Sequence, residues 1–194
     1  MVDMIIESTY FEKQGPENSD KALNIAKKNA DKLGIKDIIV ASTTGTTAEK
    51  LSNYFNPVEF NLVVVTHSYY FTGTKLRQEF DEEKMKKLKS EGLKFLIATH
   101  SMSGVERALR IKRQPWMPVD LIAKLIRDQF SQGTKVCIEI ATMAVDAGLI
   151  PDLDRDIICI GGTGRGADTV CLIKPAPTSE FNNLRVKAIF CKPL

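Results

Sequence analysis

The sequence predicts a three-layer α/β/α sandwich whose sheet is mostly parallel, with an antiparallel strand or strands at its edge. Three segments, I-I-V-A-S-T-T-G, V-V-V-T-H-S and F-L-I-A-T-H-S, are apolar on both faces until they end in small polar residues. Such strands are typical of a sheet interior that helices cover on both sides. Helical patterns separate the three segments, and this alternation indicates parallel strands joined by helical crossovers.

Length and composition favour one domain over residues 1–194. A chain of 194 residues is long enough for one α/β domain and short for two. The net charge of +3 is spread along the chain, so we expect no nucleic-acid interface. The segment M-V-D-M-I-I-E lacks the basic region of a secretory signal. No apolar run approaches the roughly 18 residues of a membrane span, so we expect no membrane partner.

The four cysteines, Cys137, Cys159, Cys171 and Cys191, are far apart in the sequence. They form no C-x-x-C pair and no Cys/His ligand spacing, which argues against a metal site. Three of them lie in apolar, strand-like runs. These features favour buried free thiols in a reducing compartment, so we expect a cytoplasmic protein.

The first half of the chain predicts three helices, each followed by one of the three strands. The first helix begins at Asp20 and ends at Gly34, and the second follows the turn around Gly45 and ends before Pro57. The third is charged, carries Met85 and Leu88, and ends at Gly92. The intervening strands cover residues 35–41, 61–68 and 93–101. All three strands are expected inside the sheet.

Three more helices follow. A short helix begins near Ser103, and Pro118 suits the first turn of the next helix. That next helix has an apolar face made of Val119, Ile122, Leu125, Ile126 and Phe130. The last helix covers residues 134–148 and is apolar nearly all round, apart from Glu139 and Asp146. We therefore expect it at the centre of the fold.

The last third of the chain predicts the antiparallel part of the sheet. The segment D-I-I-C-I-G-G-T-G-R-G-A-D-T-V-C-L-I-K contains two strands joined by a glycine-rich loop too short for a helix. Strands this close in sequence are antiparallel neighbours. A final strand over residues 185–191 completes the edge. Because it is mostly apolar, it could pair between copies, and a homo-oligomer is one open expectation.

The functional signal lies where the predicted strands end. Ligands of open α/β sheets bind in the crevice at the C-terminal ends of the parallel strands. The residues that we predict to bind a ligand there are Ser42, Thr43, Thr44, Gly45, Thr46, Thr47, Thr66, His67, Thr99, His100, Ser101, Gly161, Gly162, Thr163, Gly164, Arg165, Gly166 and Asp168.

The turn at residues 42–47 leads from a strand into a helix. A helix start offers free N–H groups and a positive dipole end to an anion, and Gly45 permits close backbone approach. The turn lacks the Lys-Ser/Thr pair of a Walker loop. By itself, it is equally compatible with an ordinary turn capped by Ser and Thr.

Individual side chains also leave alternatives open. His67 and His100, the two histidines of the chain, are candidate acid/base groups or hydrogen-bond donors to a ligand. Alternatively, each caps a helix or donates a hydrogen bond to a neighbouring backbone carbonyl. Arg165 could bind a phosphate or be solvated. For Asp168 we favour a role in orienting the glycine-rich loop, and for Glu139 a structural bond to a loop N–H.

Several motifs resemble a known family. The string V-A-S-T-T-G-T-T-A resembles the phosphate-binding loop in the C-terminal α/β domain of pyruvate kinase. A wider set is similar to stand-alone archaeal and bacterial proteins related to that domain: Y-F-E-K-Q-G-P-E-N, V-V-T-H-S, A-T-H-S-M-S-G-V-E-R-A, K-V-C-I-E-I-A-T-M-A-V-D-A-G-L-I-P and G-G-T-G-R-G-A-D-T.

The resemblance implies the same sandwich fold and a phosphate at the turn of residues 42–48. For the stand-alone proteins it implies flavin mononucleotide (FMN) in the crevice. The pyruvate kinase catalytic barrel is absent from this sequence, so we do not expect pyruvate kinase activity. Tyr69-Tyr70 replaces an expected small residue and Gly, which affects the shape of the ring pocket.

Two functional hypotheses follow from these residues and from the resemblance. The first is a flavin- or nucleotide-binding protein, with or without enzymatic activity. The second is a non-catalytic sensor of a small phosphorylated metabolite. Both require the same anion site.

Overall fold

The computed structural model describes residues 5–73 and 76–194, which form a seven-stranded sheet with helices on both faces. The strands are β1 Thr9–Phe11, β2 Asp37–Ala41, β3 Asn61–His67, β4 Lys94–Ala98, β5 Ile157–Gly161, β6 Thr169–Lys174 and β7 Arg185–Pro193. The α-helices are α1 Ser19–Leu33, α2 Thr46–Ser52, α3 Glu82–Ser90, α4 Val105–Arg113, α5 Pro118–Gln129 and α6 Gln132–Asp146. Short 3-10 helices cover Pro16–Asn18 and Thr178–Asn183.

The sheet is mostly parallel and has the order β1-β7-β6-β5-β2-β3-β4. Strands β5, β2, β3 and β4 pair in parallel, whereas β6 is antiparallel to both β5 and β7. The predicted fold class is confirmed. The glycine-rich loop joins antiparallel neighbours, as predicted, with Cys159 opposite Cys171.

The two edges of the sheet differ from the sequence expectation. β1 pairs with the end of β7, with Thr9 opposite Cys191, so β1 forms the edge that we assigned to the final strand. Three residues are too few to produce a recognisable strand pattern. At the other edge lies β4, whose apolar residues are half-buried. The prediction that all three apolar strands are interior was therefore wrong for β4.

The helices begin and end where local signals place them. Gly34 adopts a left-handed conformation with φ 68° and closes α1. Pro118 occupies the first turn of α5. Helix α2 ends at Ser52, three residues earlier than expected, because Asn53 and Tyr54 donate N–H bonds to carbonyls three residues back.

Alternate side chains of the central strands divide the core into two layers. Ile38 and Val40 of β2 pack with α1 and α2, whereas Ile39 packs with α6. Helix α6 is buried along most of its length, as its nearly continuous apolar sequence predicts. Its burial places the side chains of α6 beneath the C-terminal ends of the strands.

The apolar face predicted for α5 is only partly buried. Ala123 is buried, and Val119 and Ile126 pack against the core. Ile122, Leu125 and Phe130 are instead 41%, 59% and 52% exposed. Helix α5 packs against one side of α6, so only part of its apolar face can reach the core.

Three further observations concern compartment and partners. All four cysteines are buried and free. Across the described residues, no helix combines the length and hydropathy needed to cross a bilayer. Residues 1–4, which belong to the segment compared above with a secretory signal, lie outside the described residues.

A matched pair of phenylalanines tests this assignment of the core. Phe190→Ala removes a fully buried ring of β7, so we expect the free energy of unfolding in urea to fall by about 3–5 kcal/mol. Phe130→Ala on α5 removes a half-exposed ring and should cost less than ~1 kcal/mol. Equal losses in the two variants would contradict the assignment.

Candidate functional site

A cavity of about 290 Å³ opens where β2, β3 and β5 end, with α6 beneath it. This is the sheet edge at which the sequence predicts a ligand crevice. The predicted site residues that line the cavity are Ser42, Thr43, Thr47, Thr66, His67, His100, Gly162, Gly164, Arg165 and Gly166. Four chain segments far apart in sequence therefore share one cavity.

The turn after β2 contributes only part of its predicted residues. The Thr44 and Thr46 hydroxyls lie 3.3 Å from each other at the exposed surface, outside the cavity lining. Gly45 has φ 97°, and a Cβ there would lie 2.4 Å from Lys84 Cδ. The Ser42 hydroxyl accepts a hydrogen bond from Ala48 N–H. Ser42 thus caps the first turn of α2 and also lines the cavity, together with Thr43 and Thr47.

Close packing leaves no room for a side chain at two glycines of the glycine-rich loop. A Cβ on Gly166 would lie 2.2 Å from Pro16 Cα, and a Cβ on Gly162 would lie 2.2 Å from the Gly166 carbonyl oxygen. Gly161 and Thr163 belong to this loop or to the end of β5 but do not line the cavity. The close packing brings the loop against the segment that precedes α1.

Asp168 holds this loop in place and does not line the cavity. Its Oδ2 accepts hydrogen bonds from Gly15 N–H at 3.0 Å and Thr163 N–H at 3.2 Å. Its Oδ1 accepts one from the Thr169 hydroxyl at 2.8 Å. With both carboxylate oxygens occupied in a fully buried position, Asp168 orients the loop and is not placed to bind a ligand directly.

Two predicted residues of the β4 end lie beside the cavity. Thr99 lines a neighbouring depression of about 450 Å³. The Ser101 hydroxyl lies 3.0 Å from the Thr142 hydroxyl on α6. The depression shares four residues with the cavity and adds apolar side chains of α4: the shared residues are Phe71, His100, Ser103 and Arg107, and the added ones are Val105, Ala108 and Ile111.

Tyr69 and Tyr70 line neither the cavity nor the depression. Both side chains are exposed, and Tyr70 adopts a left-handed backbone conformation with φ 60°. The two tyrosines therefore contribute no side chain to the lining of these two spaces.

Three cationic residues of the cavity were missed from the sequence. Arg107 comes from α4, Arg127 from α5 and Lys135 from α6. Arg107 and Arg127 resemble ordinary surface arginines in the sequence. Lys135 could have been identified from the sequence, because it stands four residues before Glu139 in an otherwise apolar helix, a spacing that favours an ion pair.

Glu139 is the centre of a buried polar network. Its Oε1 lies 2.5 Å from Lys135 Nζ and accepts a hydrogen bond from Met102 N–H at 3.0 Å. Its Oε2 lies 3.2 Å from His100 Nδ1. The bond to Met102 N–H is the structural contact with a loop that the sequence predicts for Glu139.

This network shifts the pKa of both α6 residues. Burial alone raises the pKa of Glu139, but the hydrogen bond from His100 and the charge of Lys135 outweigh burial and lower that pKa to about 2. Burial lowers the pKa of Lys135, and the neighbouring carboxylate opposes this effect. The ionised carboxylate gives His100 Nδ1–H a strong acceptor.

His67 lies in a different environment. Its Nε2 is 3.4 Å from the Thr43 hydroxyl, and its Nδ1 is 3.4 Å from Glu79 Oε2. Burial, together with the nearby His100, lowers the pKa of His67 to about 4. Since the ring is neutral near pH 7, His67 can exchange a hydrogen bond with a ligand but carries no charge.

An aromatic wall separates the cavity from the depression. The Phe71 ring stacks on the His100 ring with centroids 4.9 Å apart and planes 13° apart. The His67 ring contacts both, at 4.2 Å from Phe71 and 4.9 Å from His100. The Arg107 guanidinium lies over the Phe71 ring at 4.8 Å.

Arg165 links two of the strand ends. Its guanidinium donates to Glu79 Oε1 at 2.8 Å, and its backbone has φ 67°. Arg165 follows β5 and Glu79 follows β3, and β2 lies between these strands in the sheet. The ion pair therefore joins the loops on either side of the β2 turn.

The fold is that of an open-sheet α/β domain, an architecture whose ligands commonly bind at the strand ends where this cavity lies. Residues 20–173 match the family described as "Pyruvate kinase, alpha/beta domain". This match covers more than half of the 194 residues, and the chain belongs to that family.

The low pKa of His67 predicts an NMR titration. We expect its ring signals to titrate with a midpoint near pH 4 and to change little between pH 5 and 8. The unfolded chain takes up this proton near pH 6.5, so stability should fall as the pH drops from about 6.5 to 4. His67→Gln should lose less stability over that range. A wild-type midpoint near pH 6.5 would refute the assignment.

Proposed function

We propose that this chain binds a phosphate ester in the cavity at the ends of β2, β3 and β5, and that the ligand is FMN. The observation that carries the proposal is the charge of the cavity. Its described lining includes four cationic side chains, Arg107, Arg127, Lys135 and Arg165, and one carboxylate, that of Glu139. Guanidinium groups suit a phosphate, because their planar donors can bind two of its oxygens.

The hydroxyl groups of the cavity support the same ligand class. Thr43, Thr47, Thr66 and Ser103 line it. Thr66 is 2% exposed, and its Oγ1 has no hydrogen-bond partner among the described residues. An unpaired buried hydroxyl is unfavourable, so a ligand oxygen that accepts its hydrogen would stabilise the bound state.

The dimensions of the site agree with a ligand in two parts. The cavity of about 290 Å³ is small for a whole nucleotide, since sites for small molecules commonly measure ~300–1,000 Å³. The neighbouring depression adds about 450 Å³ and shares the Phe71–His100 wall. In our proposal the phosphate occupies the cavity and the flavin ring lies against this aromatic wall and the apolar side chains of α4.

The residues present thus fit FMN. The flavin itself would supply redox chemistry, and the protein would bind and orient it. Arg165 and the hydroxyls would hold the phosphate, and the apolar side chains of α4 would contact the ring beside the Phe71–His100 wall. The resemblance to FMN-binding stand-alone proteins supports the choice of FMN over other phosphate esters.

The second candidate is a sensor of a phosphorylated metabolite. The Arg165–Glu79 ion pair favours it, because a phosphate that competes for Arg165 would break the link between the β3 and β5 loops. The structure of these loops would then depend on the ligand, as a sensor requires.

The proposed function predicts a preference for FMN over riboflavin. The two share the flavin ring, but only FMN carries a phosphate. We expect calorimetry to give a Kd for FMN at least about tenfold lower, since a charge-assisted contact contributes roughly 1.4 kcal/mol or more. Purified protein should also show flavin absorbance.

Sugar phosphates provide the control for the preceding experiment. If sugar phosphates bind and FMN does not, the sensor hypothesis replaces the hypothesis of a flavin-binding protein. Absence of binding by FMN and by every phosphate ester tested would overturn the proposed function.

The Thr66 hydroxyl provides a second test with opposite effects on stability and binding. Thr66→Val removes the unpaired hydroxyl at nearly constant volume, so the free protein should keep or gain stability. Its affinity for inorganic phosphate should fall about tenfold.

Thr134→Val is the matched control, because the buried Thr134 hydroxyl is bonded to Ser131 and does not line the cavity. This variant should lose about 1 kcal/mol of stability and keep its phosphate affinity. Unchanged phosphate affinity in Thr66→Val would argue against a phosphate beside this hydroxyl.

A further inference from the structure

The orientation of His100 is fixed from two directions. Its Nδ1 lies 3.2 Å from Glu139 Oε2, and its ring stacks on Phe71. With Nδ1–H donated to the carboxylate, Nε2 is the unprotonated nitrogen of the neutral ring and carries its lone pair. His100 lines the cavity, and among the described residues the polar contact of its ring is the one from Nδ1 to Glu139, which leaves Nε2 without a hydrogen bond. Nε2 is thus the ring nitrogen available to a ligand.

The charge of Glu139 is already offset by Lys135. Their side chains are 2% and 3% exposed, and the two charged atoms are 2.5 Å apart. The buried pair carries no net charge, and the described lining of the cavity offers His100 no second carboxylate. A positive charge on His100 would therefore be stabilised by an additional anion beside its ring.

The other groups around His100 also fail to stabilise a positive charge on its ring. His67 of β3 lies 4.9 Å away, and Arg107 of α4 lies over the Phe71 ring on which His100 stacks. Arg107 opposes a positive charge on His100, and the neutral His67 offers no compensation. Glu79 is directed to His67 and Arg165. A phosphate dianion in the cavity would supply the missing negative charge.

We propose that His100 is the proton-transfer group of this site: a phosphate ester binds together with a proton at His100 Nε2, and Glu139 and Lys135 are its positioning residues. This inference rests on the proposed phosphate site. The proton comes from solvent to Nε2, which donates it to a phosphate oxygen. If the proton passes to the ligand, the imidazole becomes neutral again. A proton held in contact with the ligand is the requirement for general acid catalysis.

Proton uptake can be measured directly by calorimetry. Inorganic phosphate is titrated into the protein in buffers of different ionisation enthalpy, between pH 6 and 9. The dependence of the observed heat on the buffer gives the number of protons taken up. We expect a maximum that approaches about one proton per phosphate in the wild type. His100→Gln should lose this uptake, and His67→Gln should keep it, whatever the change in affinity.

Lys135→Met tests the positioning role. Without the lysine charge, Glu139 is free to stabilise an imidazolium at His100 before the ligand arrives. We expect phosphate to bind with much less proton uptake, and the ¹⁵N NMR spectrum of the free variant to show both nitrogens of His100 protonated. A purely structural role for Lys135 would leave the protonation of His100 unchanged. Glu139→Asp should restore part of the wild-type uptake that Glu139→Ala loses.

The possible failures are distinguishable. Phosphate binding without proton uptake in the wild type overturns this inference and leaves the proposed function intact. Absence of binding by any phosphate ester overturns the proposed function. In that case the ¹⁵N spectrum of the free wild type still tests the geometry: neutral His100 must carry its proton on Nδ1, and a proton on Nε2 refutes the inference.

Discussion

The buried ion pair between Lys135 and Glu139 is the interaction on which the cavity depends. Two charges inside an apolar helix are tolerable only if they are paired and their remaining hydrogen-bonding capacity is satisfied. Glu139 meets this condition with Lys135, Met102 N–H and His100. One carboxylate thus fixes the loop after β4, the orientation of the histidine and the position of a cation beneath the strand ends.

The order of the sheet explains how the remaining groups meet at this point. β2 lies between β3 and β5, so its turn is flanked by the loops that carry Glu79 and Arg165. Asp168 anchors the β5 loop from within the core and leaves Arg165 at the surface. The rigid α6 network and the more exposed Arg165–Glu79 pair therefore bound the same cavity.

Much of the candidate site could be predicted because the ends of strands can be recognised from the sequence pattern. Thr66, His67 and His100 directly follow or end apolar strands, and parallel strands bring such residues to one edge. The exact lining was harder to predict. Thr44 and Thr46 belong to the same turn as Thr43 and Thr47, yet face outward, because the direction of each side chain depends on the path of the backbone through the turn.

The sequence alone determined the parallel α/β core, the antiparallel pair around the glycine-rich loop and the edge at which polar residues gather. These features follow from local periodicity and from the length of each connection. Only the tertiary structure placed β4 at the edge, added β1, and brought Arg107, Arg127 and Lys135 to the cavity. Those outcomes depend on which surfaces pack together across long sequence separations. The surroundings of His67 and His100 were also decided there, since His67 Nδ1 lies beside Glu79 and His100 Nδ1 lies beside Glu139.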